Sequence, residues 1–295
     1  MSKLNWGLIG GGEGSQIGPA HRISAAMDGL YCLVAGALDH NPDKGRAFAQ
    51  ELGIVADRAY RDWREMLEGE RNRHDRVDLV TVATPNSTHY EITKAFLEAG
   101  IAVLCEKPMT VTVEEAEDIA AVAKRALSAD FVTCLKSRTL EDDALVNFRM
   151  DGGAVLRLWT SSIAVGSMHG LNIRVYGEKG GLRWAQEWPN QLFWTPLNGR
   201  TEILERGGPN LSPEADRASR VTIGHAEGMP LAFANIYSDI AEVLNAKREG
   251  RAPDPLAMHF PTALDGLRSI AAIRAAVESA KAGGAWVDAR PPSLR

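Results

Sequence analysis

Leu4-Asn5-Trp6-Gly7-Leu8-Ile9-Gly10-Gly11-Gly12-Glu13-Gly14 decides how the first half of the chain is read. A short apolar run, Leu4 to Ile9, stops at a cluster of glycines, and a helical pattern follows from about Pro19 to Met27. Strand, glycine turn and helix in this order make a cradle for a pyrophosphate. The glycines let the backbone approach closely, and the helix N-terminus offers free N–H groups and the positive end of a dipole. Gly10-x-Gly12 fits the start of G-x-G-x-x-G; the third position in that register is Ser15, and Gly14 and Gly18 are available in a longer loop. The glycines alone fit an ordinary tight turn equally well. Their place between a strand and a helix points to a dinucleotide site that uses Gly10, Gly12, Gly14 and Ser15.

Moving outward, a second apolar run, Leu30 to Leu38, is closed by Asp39. A carboxylate at the end of the second strand can accept hydrogen bonds from the adenosine ribose hydroxyls. It also repels a 2′-phosphate, which favours NAD and leaves NADP as the second choice. The competing reading makes Asp39 the cap of a helix that begins near Pro42. Further on, helical stretches at Asp43–Leu52, Trp63–Leu67, Glu91–Ala99 and Thr112–Leu127 alternate with apolar runs at Val77–Ala83 and Ile101–Cys105. Gly100 stops one helix, and Thr112 with Glu115 fits a capping box at the start of another. The alternation predicts an α/β Rossmann domain with a doubly wound parallel sheet over residues 1–125.

Residues 126–295 read differently. Strand-like runs at Phe131–Leu135, Ala144–Met150, Ala154–Ser161 and Asn172–Tyr176 have no helices between them. Asp151-Gly152-Gly153 and Glu178-Lys179-Gly180-Gly181 are hairpin signals. Two long helices follow, about Pro230–Arg248 and Thr262–Ala282. This predicts an α+β domain with a mostly antiparallel open sheet. Of 295 residues, 45% are hydrophobic and 24% charged, and the net charge of −5 comes without a Lys/Arg block. Nothing there favours nucleic acid or an anionic membrane. Cys32, Cys105 and Cys134 lack metal or CxxC spacing and read as buried reduced thiols, so no metal is expected. With no signal-like N-terminus and no run long enough to span a bilayer, a cytoplasmic location is expected.

Two further strand ends carry special residues, Thr84-Pro85-Asn86-Ser87-Thr88-His89 and Glu106-Lys107-Pro108. In a doubly wound sheet both fall beside the glycine turn, where ligands bind. Lys107 is a lone cation there. Beside an oxidised nicotinamide a lysine can bind a substrate hydroxyl and help remove its proton. A salt bridge to Glu106 is the duller alternative, disfavoured because adjacent residues pair poorly.

The run Val77–Asn86 with His89, Ala99-Gly100 and Val103–Pro108 resembles the Gfo/Idh/MocA family of oxidoreductases, as do Glu115-Ala116, Asp151-Gly152-Gly153 and Val175–Gly181. The resemblance implies a Rossmann domain followed by an α/β domain whose open sheet often forms an oligomer interface, here a homodimer or homotetramer. It implies that Gly10, Gly12 and Asp39 contact NAD, and that Thr84, Pro85, Asn86 and Glu106 line the nicotinamide side with His89 nearby. Lys107 matches the catalytic lysine, and its bond to Pro108 is implied to be cis. The implied reaction is NAD(P)-dependent oxidation of a secondary hydroxyl on a sugar or cyclitol.

The chain also departs from the family. Its second catalytic element, an Asp and a His four apart on a helix, has no match between Arg125 and Asp151. The helix ending near Leu127 runs to Phe131 without a Gly, Pro or Asn stop. Both features suggest a missing segment close to Arg125–Leu127. Alternatively, Phe131–Lys136 is the sixth Rossmann strand and Asp142-Asp143 supply acid groups. His225, ahead of Glu227-Gly228, is a candidate substrate contact or a packing residue, and His169 reads as solvated. Trp184, Trp188 and Trp194 read as packing residues. The rival to an active dehydrogenase is a dinucleotide-binding regulatory or catalytically impaired protein.

Overall fold

The structure is a computed structural model that describes residues 3–126, 143–209 and 211–294. The first part runs β1 (Leu4–Gly10), α1 (Gly18–Met27), β2 (Tyr31–Ala37), α2 (Pro42–Glu51) and α3 (Trp63–Glu70). It continues with β3 (Leu79–Ala83), α4 (His89–Glu98), β4 (Ala102–Cys105) and α5 (Val113–Ala126). The four strands form one parallel sheet in the order β2-β1-β3-β4. The order reverses between β1 and β3, and that switch point opens a crevice at the strand ends. Register brings those ends together: Gly10 lies opposite Ala83, and Val82 opposite Cys105. A parallel bridge, Gly36 to Ala59, extends the β2 edge.

Side chains alternate in direction along the strands, and both sheet faces are covered. Ile9, Val80, Val82, Val103 and Cys105 join one cluster with Phe96 of α4 and Ile119 of α5. Leu4, Trp6, Leu8, Leu79 and Leu104 join the other. Helix starts are set locally. The Asn41 side chain accepts the Asp43 and Lys44 N–H groups, and Asp62 accepts those of Arg64 and Glu65. At α5 the expected capping box is present: Thr112 Oγ1 accepts the Glu115 N–H at 3.1 Å, and Glu115 Oε2 accepts the Thr112 N–H at 3.2 Å.

A buried ion pair not anticipated from the sequence stiffens this part. Glu70, wholly buried, accepts from Arg58 Nε at 2.9 Å, Arg58 Nη2 at 2.5 Å, the Tyr60 hydroxyl at 2.9 Å and the Val77 N–H at 3.0 Å. Buried charges need this complete set of partners. Cys105 is buried as expected; Cys32 is exposed, a correction that follows from its place on the edge strand β2.

Later elements are β5 (Asp143–Arg149), β6 (Val155–Ser161), β7 (Asn172–Gly177), β8 (Gly180–Ala185), β9 (Gln191–Pro196) and β10 (Glu202–Glu205). They are followed by α6 (Pro213–Arg217), α7 (Met229–Glu249) and α8 (Ala263–Lys281). β5 and β6 pair antiparallel across the Asp151-Gly152-Gly153 turn, and β7–β10 form an antiparallel meander. The domain is therefore α+β with antiparallel sheets, split into a hairpin and a four-stranded sheet. Three strands, β8 to β10, are not evident from the sequence. The expected strand Phe131–Leu135, Asp142 and the connection near Leu127 lie outside the described residues.

Two compact units emerge, Met1–Arg138 with Ile236–Arg295, and Thr139–Asn235. The last stretch, which the sequence reading places with residues 126–295, thus belongs to the first unit. Tyr237, Ile240, Ala241 and Phe260 complete the core that holds Leu4 and Trp6, while Ala263, Leu267 and Ile270 join Ile119 in the other. Apolar spacing identifies the helices but not the surface they cover. Among the described residues no helix is long and apolar enough to cross a membrane.

Candidate functional site

The crevice is built first from backbone. Gly10 and Gly11 hold φ at 73° and 67°, the left-handed region that side chains resist. A Cβ on Gly10 would come within 2.6 Å of the Ala83 carbonyl oxygen, and one on Gly12 would collide with the Leu38 carbonyl. The turn therefore lies bare between the ends of β1, β2 and β3.

The third glycine is not at the position that fixed spacing gives. A Cβ on Gly18 would collide with the Gly11 carbonyl, so Gly18 allows the close helix-to-turn contact. Ser15 instead accepts the Gly18 N–H on its Oγ at 3.0 Å, and its own N–H donates to the Gly12 carbonyl at 3.1 Å. Gly14, at φ 75°, faces open space: a Cβ there would meet nothing within 4 Å. Arg22 reaches back from α1, donating from Nη1 to the Gly11 carbonyl at 2.5 Å, with its guanidinium 5.1 Å over the Phe48 ring.

Asp39 does not cap α2, because Asn41 does. Its Oδ1 accepts the Asn41 N–H at 2.8 Å and lies 3.1 Å from His40 Nδ1. Its Oδ2 has no hydrogen-bond partner among the described residues. A bare glycine turn at a helix N-terminus, with a carboxylate oxygen to spare at the end of β2, fits a dinucleotide with ribose hydroxyls.

The Thr84–His89 turn follows β3 directly. Thr84 Oγ1 accepts the Thr88 hydroxyl at 2.8 Å, Pro85 is exposed, and Asn86 is half-buried. His89 is 1% exposed, with Nδ1 2.6 Å from the Pro108 carbonyl and Nε2 2.8 Å from the Thr84 carbonyl. Both ring nitrogens are thus taken up by backbone, and His89 ties the turn after β3 to the one after β4. The Lys107–Pro108 peptide is cis, as the resemblance implied. Lys107 is exposed, and its ammonium forms no ion pair among the described residues, so the Glu106 salt bridge is absent.

Glu106 is occupied otherwise. Its Oε2 accepts the Lys107 backbone N–H at 3.1 Å, and its Oε1 is 3.0 Å from His21 Nε2. His21 is 1% exposed, and its Nδ1 lies 2.9 Å from the Tyr237 hydroxyl. That hydroxyl is 3.0 Å from Thr81 Oγ1, which accepts the Trp6 indole N–H at 2.9 Å. Tyr237 stands edge-on to Trp6, His21 and Tyr31. Burial pushes its phenol well above the ordinary range, so it keeps its proton. Sequence reasoning misses His21 and Tyr237. A signal exists for the first: His21 shares the buried face of α1 with Gly18, Ser24 and Ala25, where an uncompensated polar ring is costly.

In the second unit His225 is exposed, with Nδ1 3.3 Å from both Thr222 Oγ1 and the Thr222 carbonyl. Its neighbour Glu227 is buried and accepts the Arg220 and Val221 N–H groups at 2.6 and 3.0 Å. His169 is exposed. Trp184 is half-buried and donates to the Pro189 carbonyl at 3.0 Å, while Trp188 is exposed.

Comparison with known proteins agrees with this geometry. Residues 4–131 match the Gfo/Idh/MocA profile described as oxidoreductase family, NAD-binding Rossmann fold. Residues 112–288 match the profile of that family's C-terminal alpha/beta domain. An uncharacterized oxidoreductase of Bacillus subtilis, YfiI, is 29% identical, with 97% of this chain and 96% of that protein covered. An inositol dehydrogenase homolog from Azotobacter vinelandii, solved with NADH and myo-inositol, has a TM-score of 0.90 at 31% identity, covering 97% of this chain and 98% of its own. An oxidoreductase from Sinorhizobium meliloti has a TM-score of 0.89 at 33% identity, covering 98% and 100%.

Proposed function

Because this chain belongs to the Gfo/Idh/MocA oxidoreductase family and carries its NAD-binding Rossmann domain, we propose that it is a dehydrogenase oxidising a secondary hydroxyl of a sugar or cyclitol. Lys107 carries the reading: an exposed ammonium without an ion pair among the described residues, at the end of β4, beside the glycine turn and the Thr84–His89 turn. NAD supplies the hydride acceptor when bound. Gly10, Gly12 and Gly14 with Ser15 hold its pyrophosphate, and Thr84, Pro85, Asn86 and Glu106 line the nicotinamide side. Asp39 Oδ2 accepts from the ribose hydroxyls and selects NAD over NADP. Beside the positive nicotinamide Lys107 loses its ammonium proton to solvent, and as the neutral amine it binds the substrate hydroxyl and takes its proton as the carbon is oxidised. His89 holds the two turns in place. The myo-inositol held by the Azotobacter homolog supports a polyol substrate, and exposed Trp159, Ile173 and Tyr176 of the second unit support a homodimer or homotetramer.

One observation favours a second reading, a protein that binds the dinucleotide and regulates rather than catalyses. The alignment to YfiI spans 379 residues, yet this chain has 295, so the relative carries dozens of residues without a counterpart here. The two profiles also overlap at residues 112–131, beside the place where the Asp/His helix is missing from the sequence. The test is to incubate the full chain with NAD and a panel of sugars and inositols and follow the absorbance of reduced nicotinamide. Turnover of one polyol, lost by roughly 10²–10⁴-fold in Lys107→Met with NADH binding kept, is the expected result. NADH binding without turnover of any polyol leaves the regulatory reading standing.

A further inference from the structure

We propose that His21 and Tyr237 are positioning residues for Lys107, links in a buried one-way chain of hydrogen bonds that starts at Trp6 and ends on the Glu106 carboxylate. The proposal rests on the reading of Lys107 as the group that handles the substrate proton.

The two ends fix the outer donors and acceptors, and the one-way chain follows when the links between them share that direction. An indole N–H can only donate, so Thr81 Oγ1 accepts from Trp6 at 2.9 Å. A carboxylate only accepts, so His21 Nε2 carries a hydrogen and donates it to Glu106 Oε1 at 3.0 Å. Between these ends lie two hydroxyls and one ring nitrogen. The Thr81 hydroxyl donates to the Tyr237 oxygen at 3.0 Å, and the Tyr237 hydroxyl donates to His21 Nδ1 at 2.9 Å. In this arrangement His21 accepts at Nδ1 and donates at Nε2.

The far end of the chain explains why such an arrangement would exist. Glu106 is the residue before Lys107, and its second oxygen accepts the Lys107 N–H at 3.1 Å. One carboxylate thus joins the turn that carries Lys107 to α1, and through His21 to α7. His21, Thr81 and Tyr237 are buried, and the Glu106 side chain is only 11% exposed, so water does not replace a broken link. His89 fixes the same turn from the opposite end, through the Pro108 carbonyl at 2.6 Å. Lys107 sits between two histidines that touch its neighbours and not its ammonium. A residue that moves by about 1 Å through loss of such support can cost on the order of 10²-fold in rate.

Amide variants divide the two links. The amide nitrogen of His21→Gln can take the place of Nε2 and keep the Glu106 bond, whereas that of His21→Asn reaches only the Nδ1 position. With NAD and the polyol that gives turnover, H21N is expected to lower kcat by about tenfold or more with KM for NAD within about twofold, and H21Q to recover most of the loss. Y237F, which removes the central hydroxyl, tests the same chain if H21N fails to fold. A readout independent of turnover is the nitrogen NMR of the histidine-labelled full chain. It should show His21 as the Nε2–H tautomer, and Y237F should move the Nδ1 signal alone. An Nδ1–H tautomer, a doubly protonated ring, or H21N and Y237F with unimpaired kcat overturns the proposal and leaves the Lys107 reading intact. A wild-type chain that turns over no polyol removes that reading and this proposal together.

Discussion

A methyl group on Gly18 has no space to occupy, because its carbon would collide with the Gly11 carbonyl. Gly18→Ala must therefore push α1 off the glycine turn and misplace the N–H groups proposed to hold the pyrophosphate. The expected outcome is NADH binding weakened about tenfold or more, which is about 1.4 kcal/mol, read by a fluorescence titration. Gly14→Ala meets open space and carries only the strain of its positive φ, on the order of 1–2 kcal/mol. It should lower the melting temperature more than the affinity. A larger loss of affinity in Gly14→Ala than in Gly18→Ala would move the third-glycine role back into the loop. The same residues show where motif spacing ceases to be informative. Gly10 and Gly12 are legible because β1 delivers them at a fixed place. Counting gives Ser15 the third position, and the loop in fact runs on to Gly18, with Ser15 bonding the start of α1. Asp39 reads in the sequence as a ribose ligand with a helix cap as the competing reading; in the fold Asn41 holds the cap.

Among the elements, α5 shows how a local sequence signal becomes a tertiary one. Thr112 and Glu115 bond each other's backbone N–H groups at its start, and its inner face carries Ala116, Ile119, Val122 and Ala123 into the core. Thr112→Ala removes the side-chain acceptor for the Glu115 N–H, at a cost of about 1 kcal/mol. In a unit of this size that lowers the melting temperature by about 2–4 °C, measurable by calorimetry, while Thr112→Ser should leave it nearly unchanged. An unaltered melting temperature in Thr112→Ala would mean that packing alone holds the start of α5. Elements with such local signatures are legible: the glycine-ended β1, the β-branched β3, the capped α5 and the hairpin of β5 and β6. β8 to β10 are not, because their runs mix Gly, Arg, Trp and Pro without strict alternation, as in Gly180–Ala185 and Gln191–Pro196. Their strand character comes from antiparallel partners, which no local window contains. The His21–Glu106 link is hidden for a related reason: its two residues lie far apart in sequence and meet only once α1 and the end of β4 are in place.

On the scale of the molecule, the chain's order and its folding units disagree. The sequence reading divides it at 125/126, whereas residues 236–295 pack with the first 138. Tyr237, Ile240, Phe260, Leu267 and Ile270 are all buried in the two cores of that unit. Burying five such side chains is worth ~1.5–3 kcal/mol each, and a whole domain keeps a net stability of only ~5–15 kcal/mol. The area-based figure is an upper one, but even half of it, about 4–8 kcal/mol, is a large part of that margin. A fragment of residues 1–138 therefore contains the glycine turn, Asp39, the Thr84–His89 turn and Lys107, yet it should not hold them in place. It is expected to lack a cooperative thermal transition and near-ultraviolet circular dichroism, and to bind NADH poorly. Joining residues 236–295 to it through a flexible linker should restore all three, because those residues return both the apolar cover and the Tyr237 hydroxyl that bonds His21. Cooperative unfolding and full NADH affinity in residues 1–138 alone would show that the parallel sheet closes its own core and that α7 and α8 only rest on it. The expected result instead makes the cofactor site dependent on the end of the chain, so substitutions in α7 or α8 should weaken NADH binding without touching the crevice.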